Sequence, residues 1–257
     1  MVRAKIALLL LGCALPALAA RAALPNLRGE LVVVAVEDDY PPFNYVKPGT
    51  ALPVGWDYDT VRELARRLNF RAEFREISWD SMIQGVATGQ FDMAANGITV
   101  TPERARVVDF STSYAQVHQR LLVRTTERRF QTLEEFANTK WAKLGAQKGN
   151  TNYTRAEQLV GSRRIVAYDV FGDLVQALLA GELDAVIIDD VGGQGYVGAN
   201  AGKLRLLAGG LVGQDLAMIF PKGSELRAAV DAGLAAMKKD GTLGRLHDQW
   251  LVATFHP

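Results

Sequence analysis

Residues 91–114 constrain the fold of this chain more than any other stretch. Residues 91–95 have the pattern of a short buried strand, and Asn96-Gly97 follows it as a turn signal. Thr101-Pro102-Glu103-Arg104 then has the pattern of a helix start, with threonine at the N-cap and proline in the first position. The stretch therefore predicts a strand, a turn and a helix in close succession.

This arrangement indicates a binding site for a carboxylate. It brings backbone N–H groups, the Thr99 hydroxyl and the Arg104 guanidinium together where the strand ends. An arginine offers a planar fork of donors that matches the two oxygens of a carboxylate. The residues alone leave a second interpretation open, in which Arg104 only makes an ion pair on the protein surface.

Alternating strand and helix patterns predict an α/β fold. The run 31–36 is apolar and β-branched, which is typical of a strand buried on both faces of a parallel sheet. Two prolines in the following segment, 37–43, prevent that strand from continuing and stiffen a loop. Open α/β sheets bind ligands at such loops, which follow the carboxyl ends of strands. Apolar residues at helical spacing in 57–68 and 78–86 predict two helices that follow.

A short internal repeat indicates two similar lobes. Segments 84–93 and 176–185 both run from a helix end through a glycine to an apolar residue and an aspartate that enters a strand. Strand and helix patterns alternate around both copies, as two packed α/β units require. We therefore expect each half of the chain to contribute to a separate lobe.

The lobe boundaries follow from two segments, 118–124 with an apolar centre and 215–221 with an apolar run from Leu216 onward, that we interpret as strands crossing between the lobes. The expected first lobe comprises 25–117 together with 217–257, and the expected second lobe comprises 118–216. Two crossing strands are a natural hinge, because small backbone changes there move whole lobes.

Residues 1–19 have the pattern of a secretory signal peptide. Arg3 and Lys5 precede a short apolar run, and Ala17-Leu18-Ala19 is a small-x-small cleavage pattern. The apolar run is too short to span a bilayer. Leu10-Leu11-Gly12-Cys13 also resembles a bacterial lipobox, which leaves a lipid anchor on Cys13 as an open alternative. Both interpretations predict a protein that works outside the cytoplasm.

The charge and cysteine content exclude several classes of function. Removal of Arg3 and Lys5 with the signal leaves 27 of the 29 basic residues against 28 acidic ones. A chain so close to neutral offers no basic surface for nucleic acid. The single cysteine, Cys13, lies in the signal, so the mature chain has neither disulfides nor thiol catalysis. The three histidines lack metal-ligand spacing, and we expect no metal and no cofactor.

Eight motifs occur along the chain in a distinctive order. They are Asp39-Tyr40-Pro41-Pro42-Phe43, Gly55-Trp56-Asp57, Trp79, Gly89-Gln90-Phe91-Asp92, Thr101-Pro102-Glu103-Arg104, Phe110-Ser111 through Tyr114, Leu183-Asp184-Ala185 through Asp189, and 244–250 with its terminal tryptophan. In this order they resemble the periplasmic solute-binding proteins of polar amino-acid ABC transporters, family 3 of the bacterial extracellular solute-binding proteins. The resemblance covers essentially the whole mature chain.

The resemblance implies a fold and a function. The fold is the type II periplasmic-binding-protein fold, with two α/β lobes joined by two hinge strands around a ligand cleft. The function is capture of a free polar or basic amino acid and its delivery to an ABC transporter permease. We expect a monomer with no catalytic residues.

The resemblance also assigns roles to individual residues. Arg104 matches the arginine that holds the ligand α-carboxylate, and Thr99 and the backbone around Gly97 and Thr151 would add donors. Asp189 matches the acid that receives the α-ammonium group from the second lobe. A cation on one lobe and an anion on the other would favour closure around a zwitterion.

Three further residues match positions that surround the ligand side chain. Tyr40 and Trp79 would line the pocket, although each could instead be a core aromatic. Glu37 matches an acid that meets the basic side chain of the ligand in related proteins. Lys148 lies in the matching loop of the second lobe, so the charge of the ligand stays open.

An enzyme with this fold is the main alternative. The cyclohexadienyl dehydratases, which act on prephenate or arogenate, are similar at 129–134 and at Asn96-Gly97-Ile98. Their elimination needs a proton donor near the leaving hydroxyl. They carry a glutamate three residues after the position that matches Asp189, where this chain has Gly192. The sequence therefore favours a binding protein, with the dehydratase and a free-standing sensor domain as alternatives.

Overall fold

The computed structural model describes residues 23–211 and 213–252, so the expected signal peptide and Cys13 lie outside the described residues. The strands are β1 Glu30–Val36, β2 Asp39–Tyr40, β3 Asn44–Val46, β4 Pro53–Val54, β5 Phe70–Glu76, β6 Met93–Thr99, β7 Val108–Phe110, β8 Ala115–Arg124, β9 Leu144–Gln147, β10 Ile165–Tyr168, β11 Ala185–Asp189, β12 Leu204–Leu206 and β13 Gly213–Pro221. The α-helices are α1 Trp56–Leu68, α2 Trp79–Ala87, α3 Leu133–Asn138, α4 Thr151–Val160, α5 Phe171–Ala180, α6 Asp190–Ala199, α7 Glu225–Lys239 and α8 Thr242–His247.

Ten of these strands form one continuous sheet. Its order is β10-β9-β11-β8-β13-β6-β1-β5, with β12 beside β8 and β7 beside β13. At one end β1 pairs in parallel with β5 and β6, and at the other β9 pairs in parallel with β10 and β11. Strands β8 and β13 are antiparallel to each other and join the two parallel groups. The predicted fold class, two α/β lobes joined by two hinge strands, is confirmed.

The first lobe contains β1, β5, β6 and β7, and the second lobe contains β9 to β12. Strand β1 is buried as expected at its carboxyl end, because β5 and β6 pair with both of its edges and Val34, Ala35 and Val36 are fully buried, whereas Leu31 is 47% exposed. Helix α1 packs on this lobe through Val61 and Leu64, which recur at helical spacing and are also fully buried. The lobe boundaries expected from the sequence stay a prediction.

The turn predicted at Asn96-Gly97 is wrong, because β6 continues through both residues. The strand is irregular there instead. Ala94 and Ile98 are four residues apart in β6, but their pairing partners in β13 are only two residues apart. Gly97 has a φ of +56°, in the left-handed region that glycine enters without the steric cost of a Cβ atom. The turn signal therefore marks a bulge in a buried strand.

The helix predicted to begin at Thr101 is a single 3₁₀ turn, Arg104–Arg106. Thr101 caps this turn, since its Oγ1 accepts a hydrogen bond from the Arg104 N–H at 3.2 Å. The chain then pairs at once with β13 as strand β7, with Val108 opposite Pro221, and this pairing ends the helix. The short turn still directs Arg104 back toward the end of β6.

Along residues 23–211 and 213–252, none of the helices combines the length and apolarity that a membrane crossing requires.

Candidate functional site

A small cavity, partly open to solvent, lies between the lobes. The carboxyl ends of four parallel strands meet beside it: Glu37 follows β1, Thr99 ends β6, Gln147 ends β9 and Asp189 ends β11. All eight residues selected from the sequence line this cavity: Glu37, Tyr40, Trp79, Gly97, Thr99, Arg104, Thr151 and Asp189. Five further residues line the cavity: Asn96, Gln147, Asn150, Asn152 and Phe171. The sequence interpretation assigned no role in the pocket to Asn96, Asn150 and Phe171.

Arg104 presents a partly buried cation to the cavity. Its Nη1 donates a hydrogen bond to the Thr99 carbonyl oxygen at 2.9 Å, and its guanidinium lies 5.0 Å from the ring centre of Trp79. Burial lowers the pKa of Arg104 to about 10, so the group stays charged at neutral pH. Within the described part of the chain Arg104 makes no ion pair. The alternative of a surface ion pair is therefore wrong.

Hydroxyl and amide groups from both lobes surround the guanidinium. The Oγ1 atoms of Thr99 and Thr151 are 3.4 Å apart across the cleft, and Gln214 Oε1 accepts from them at 3.4 and 3.3 Å. Thr151 begins helix α4, whose N-cap Asn150 accepts a hydrogen bond from the Tyr153 N–H at 2.9 Å. The N-terminus of a ten-residue helix thus points at the cavity, where it favours negative charge.

Asp189 is the acid of the second lobe. Its Oδ2 accepts a 2.7 Å hydrogen bond from the Tyr40 hydroxyl, which comes from the first lobe. Its Oδ1 is buried and has no hydrogen-bond partner among the described residues. Burial raises the pKa of Asp189 to about 6, and the Tyr40 hydroxyl, the nearby Asn152 side chain and the Arg104 charge offset this only in part. Buried polar atoms in proteins almost always have a hydrogen-bond partner, so Asp189 Oδ1 is an acceptor for a donor from outside the chain.

Glu37 forms the acidic end of the cavity. Its Oε1 accepts from Gln147 Nε2 at 2.7 Å and its Oε2 from Asn96 Nδ2 at 3.3 Å. Burial raises the pKa of Glu37 to about 7. Lys148, in contrast, pairs with Asp169 at 2.7 Å, and both side chains are at least half exposed. Lys148 is not among the residues that line the cavity.

The aromatic residues belong to both the core and the cavity wall. Tyr40 stacks between Phe43 at 5.4 Å and Phe171 at 5.5 Å, and the second of these contacts crosses between the lobes. Trp79 is 7% exposed and packs with Met82 in the core of the first lobe, while its ring also supports Arg104. Tyr40 and Trp79 are therefore both core residues and part of the cavity wall.

A second buried carboxylate supports the bulge in β6. Asp57 is fully buried, and its Oδ2 accepts a 2.8 Å hydrogen bond from Asn44 Nδ2. Burial raises the pKa of Asp57 to about 7, and Asn44 and the nearby Gly97 backbone lower it in part. Asn44 Oδ1 in turn accepts from the Asp38 N–H at 3.0 Å, which fixes the loop after β1.

Comparison with known proteins gives a consistent set of matches. The model of the bacterial extracellular solute-binding proteins, family 3, matches residues 32–253. The L-cystine-binding protein TcyJ of Escherichia coli (strain K12) is 30% identical over 229 residues, which are 88% of this chain and 84% of that protein. The arginine-binding extracellular protein ArtP of Bacillus subtilis (strain 168) is 27% identical over 223 residues, 85% of each chain.

Solved structures of amino-acid-binding proteins match this chain as well. The amino-acid ABC transporter substrate-binding protein AbpA of Streptococcus pneumoniae, bound to L-arginine, is similar with a TM-score of 0.80 and 30% identity, over 88% of this chain and 97% of that one. An ancestral amino acid-binding protein, AncCDT-1, described as a precursor of cyclohexadienyl dehydratase, has a TM-score of 0.79 and 28% identity. That match covers 86% of this chain and 95% of the other.

Proposed function

The chain belongs to the bacterial extracellular solute-binding proteins of family 3, and on that premise we propose that it captures a free L-α-amino acid between its lobes. The relatives named above bind amino acids, and AbpA does so for an ABC transporter. The protein accordingly serves as the substrate-binding component of an amino-acid ABC transporter and delivers its ligand to the permease.

The observation that carries this proposal is a pair of opposite charges held on different lobes. Arg104 of the first lobe has no acidic partner among the described residues, and Asp189 of the second lobe keeps one buried oxygen unpaired. A zwitterion supplies a carboxylate for the first and an ammonium group for the second. Each charge-assisted hydrogen bond contributes about 1.5–3 kcal/mol, and both form only when the lobes are closed.

The far end of the cavity favours a ligand whose side chain is cationic. Glu37 is the acid there, and Lys148 points to Asp169 on the surface instead. A guanidinium or ammonium group would restore the charge that burial disfavours in Glu37. Arginine has such a group, and so does L-cystine, whose second ammonium lies far from the first. The named relatives bind these two molecules.

The location and partners follow from the same function. We propose that residues 1–19 direct export and that the mature protein works as a monomer in the periplasm, with the amino acid and the permease as partners. It uses no nucleic acid, metal or cofactor. A lipid on Cys13 would hold the protein at the membrane surface, and mass spectrometry of the mature N-terminus distinguishes the two forms.

Binding, rather than dehydration, also suits the chemistry of the cleft. The named relatives are binding proteins, not enzymes. Gly192 occupies the position at which the dehydratases carry a glutamate, and a Cβ atom there would lie 2.7 Å from the Tyr40 ring. A proton donor at this position would therefore displace Tyr40 from Asp189.

Thermal melts of the mature protein test the proposed function. A ligand that binds only the folded state stabilises it by about 2.7 kcal/mol at about a hundredfold excess over Kd. We expect L-arginine, L-lysine, L-histidine or L-cystine to raise the melting temperature, and their D-enantiomers to have little effect. A shift with prephenate or arogenate alone, followed by consumption of that compound, would contradict the proposal.

The Glu37→Gln variant is expected to change ligand preference. It keeps the size of the side chain and removes its charge, so the affinity for L-arginine should fall by about 10- to 100-fold, while that for L-glutamine changes little. Isothermal calorimetry with both ligands measures this. Glu76→Gln, at the exposed end of the neighbouring strand β5, is the matched control. Equal losses for both ligands would place the cationic group of the ligand elsewhere.

Binding and stability are expected to depend on pH with opposite signs. Burial raises the pKa of Glu37 to about 7 and that of Asp189 to about 6, from 4.5 and 3.8. Between these values the folded protein with its lobes together binds more protons than the unfolded chain, so these groups make that arrangement more stable as pH falls. A cationic ligand needs both carboxylates charged, so its affinity falls over the same range.

Denaturant unfolding of the free protein and titrations with L-arginine, each from about pH 8 to about pH 5, measure the two slopes. The Glu37→Gln variant should show a shallower dependence in both experiments. An affinity that stays constant over this range would contradict the assignment of Glu37 and Asp189 to the ligand.

A further inference from the structure

Helix α6, which follows Asp189 directly, is unusually rich in glycine. Four of its ten residues are glycines, namely Gly192, Gly193, Gly195 and Gly198. Glycine is disfavoured inside helices because it loses more conformational freedom than other residues. The first three of these glycines are buried, which indicates that close packing requires them.

Two of the glycines face the opposite lobe. A Cβ atom on Gly192 would lie 2.7 Å from Cε2 and 3.0 Å from the hydroxyl oxygen of Tyr40. A Cβ atom on Gly195, one turn further, would lie 2.6 Å from the carbonyl oxygen of Pro41. Real Cβ atoms essentially never approach other atoms within 3.0 Å. The loop that carries Tyr40 and Pro41 therefore rests directly on the backbone of α6.

Two hydrogen bonds fix the same contact between the lobes. The Tyr196 hydroxyl of α6 donates to the Asp39 carbonyl oxygen at 2.8 Å, and the Gly172 N–H of α5 donates to Asp39 Oδ2 at 2.6 Å. Tyr40 comes next in the chain, and its hydroxyl reaches Asp189. The contact thus joins the ligand-facing loop of the first lobe to the two helices that border the cavity in the second.

Gly193 differs from its neighbours. A Cβ atom on Gly193 would lie 2.6 Å from Leu206 Cδ2 and 3.2 Å from Ile188 Cγ2, and both residues belong to the second lobe. Gly193 therefore serves packing within its own lobe. Gly192 and Gly195 instead serve a contact that exists only while the lobes are together.

We propose that Gly192 and Gly195 are positioning residues for ligand binding, because they let α6 close onto the Tyr40-Pro41 loop and so bring Tyr40 to Asp189 around the ligand. This inference rests on the proposed function. A side chain at either position penalises the closed arrangement and leaves the open one unaffected. The apparent affinity falls by the factor by which the closed population falls.

Substitution by alanine is expected to give two effects of opposite sign. Alanine favours the helix, so the melting temperature of the free Gly192→Ala and Gly195→Ala variants should stay the same or rise by about 2 °C. Their affinity for L-arginine should fall about 10-fold or more. We expect the larger loss for Gly195→Ala, because its neighbour is a backbone carbonyl and not a side chain that can move.

Two other glycines provide controls. Gly193→Ala should lower the melting temperature of the free protein, since its neighbours lie in its own lobe. Gly244→Ala in α8 has no atom within 4 Å of the added Cβ, so it should raise the melting temperature slightly and leave affinity unchanged. Gly193→Ala shows the effect of damage to the fold, and Gly244→Ala shows the effect of higher helix propensity alone. An effect on closure must differ from both.

Closure can also be measured without any ligand. Residues 20–257 contain no cysteine, and a Cβ atom on Gly172 would lie 3.5 Å from Asp39 Cγ, so cysteines at these two positions would meet across the cleft. In a protein carrying Asp39→Cys and Gly172→Cys, the rate of disulfide formation reports how often the lobes close. We expect Gly192→Ala and Gly195→Ala to slow this reaction several-fold, and Gly244→Ala to leave it unchanged.

The combined experiment distinguishes the possible failures. Slower cross-linking together with weaker L-arginine binding and an unchanged or higher melting temperature would support the inference. Cross-linking and affinity at wild-type levels in both variants would overturn it, as would a fall in melting temperature equal to that of Gly193→Ala. If the wild type binds none of the amino acids tested, the proposed function fails, while the cross-linking rates still decide the role of the two glycines.

Discussion

Replacing Arg104 by alanine is expected to weaken ligand binding by about 10³-fold while the fold stays intact. Arg104 lines the cavity, donates a hydrogen bond to the Thr99 carbonyl and lies against the Trp79 ring. Loss of one partner from a buried charge pair costs about 2–5 kcal/mol, and each 1.4 kcal/mol is a factor of ten. Calorimetry with the ligand that gives the largest thermal shift measures the effect.

Two further variants test whether the loss of affinity depends on the charge and shape of the Arg104 side chain. Arg104→Lys keeps the charge but lacks the planar fork, so it should retain part of the affinity. Arg106→Ala removes an exposed arginine from the same 3₁₀ turn and should bind normally. Wild-type affinity in Arg104→Ala, with an unchanged melting temperature, would show that the ligand carboxylate binds elsewhere.

The second large effect is expected from Asp189→Asn, with a loss of affinity of about 10²- to 10³-fold. Asparagine keeps the shape and can still accept the hydrogen bond from Tyr40, but it has no charge for the α-ammonium group. Because burial raises the pKa of Asp189, removing the charge should leave the free protein as stable as before, or more stable, above about pH 7.

Asp248→Asn is the control, since that carboxylate is mostly exposed and remote from the cavity lining. Normal affinity in Asp189→Asn would indicate that the ammonium group meets another acid, and Glu37 would be the next candidate. A marked fall in the stability of the free variant would instead indicate that Asp189 mainly holds the two lobes together through Tyr40.

Most of the fold follows from local patterns. The apolar run of β1 and the spacing of Val61 and Leu64 in α1 are set by burial, which leaves a direct trace in the sequence. The strand β6 shows where this reasoning fails. Asn96-Gly97 has the composition of a turn, but pairing with β13 keeps the segment in the sheet and uses the glycine for a bulge.

The prediction of a helix beginning at Thr101 is wrong for a related reason. The capping hydrogen bond to Arg104 forms as the local sequence predicts, yet the strand pairing of Val108 with Pro221 stops the helix after one turn. Pairing between distant segments overrides a local signal in both cases. Propensity alone cannot reveal such an override, because the partner strand β13 lies more than a hundred residues away.

In the candidate site, too, some features could be predicted from the sequence and others depend on contacts between distant segments. The strand-end positions of Thr99, Asp189 and Glu37 could be predicted from topology, because the carboxyl ends of parallel strands meet at one edge. The hydrogen bond between Tyr40 and Asp189 could not, since it joins residues 149 positions apart on different lobes. The direction of Lys148, which decides the charge of the pocket, depends on a rotamer that spacing does not specify.

Recognition of both charged ends of an amino acid across the cleft is the central claim. The most direct test titrates the mature protein with the amino acid that stabilises it most, and with two derivatives of that compound. One derivative has its α-amino group acetylated, and the other has its carboxylate converted to an amide. We predict that the parent compound binds and that either change reduces affinity about 100-fold or more. Binding of either derivative as tightly as the parent would contradict the pairing of Arg104 and Asp189 with the two ends of the ligand.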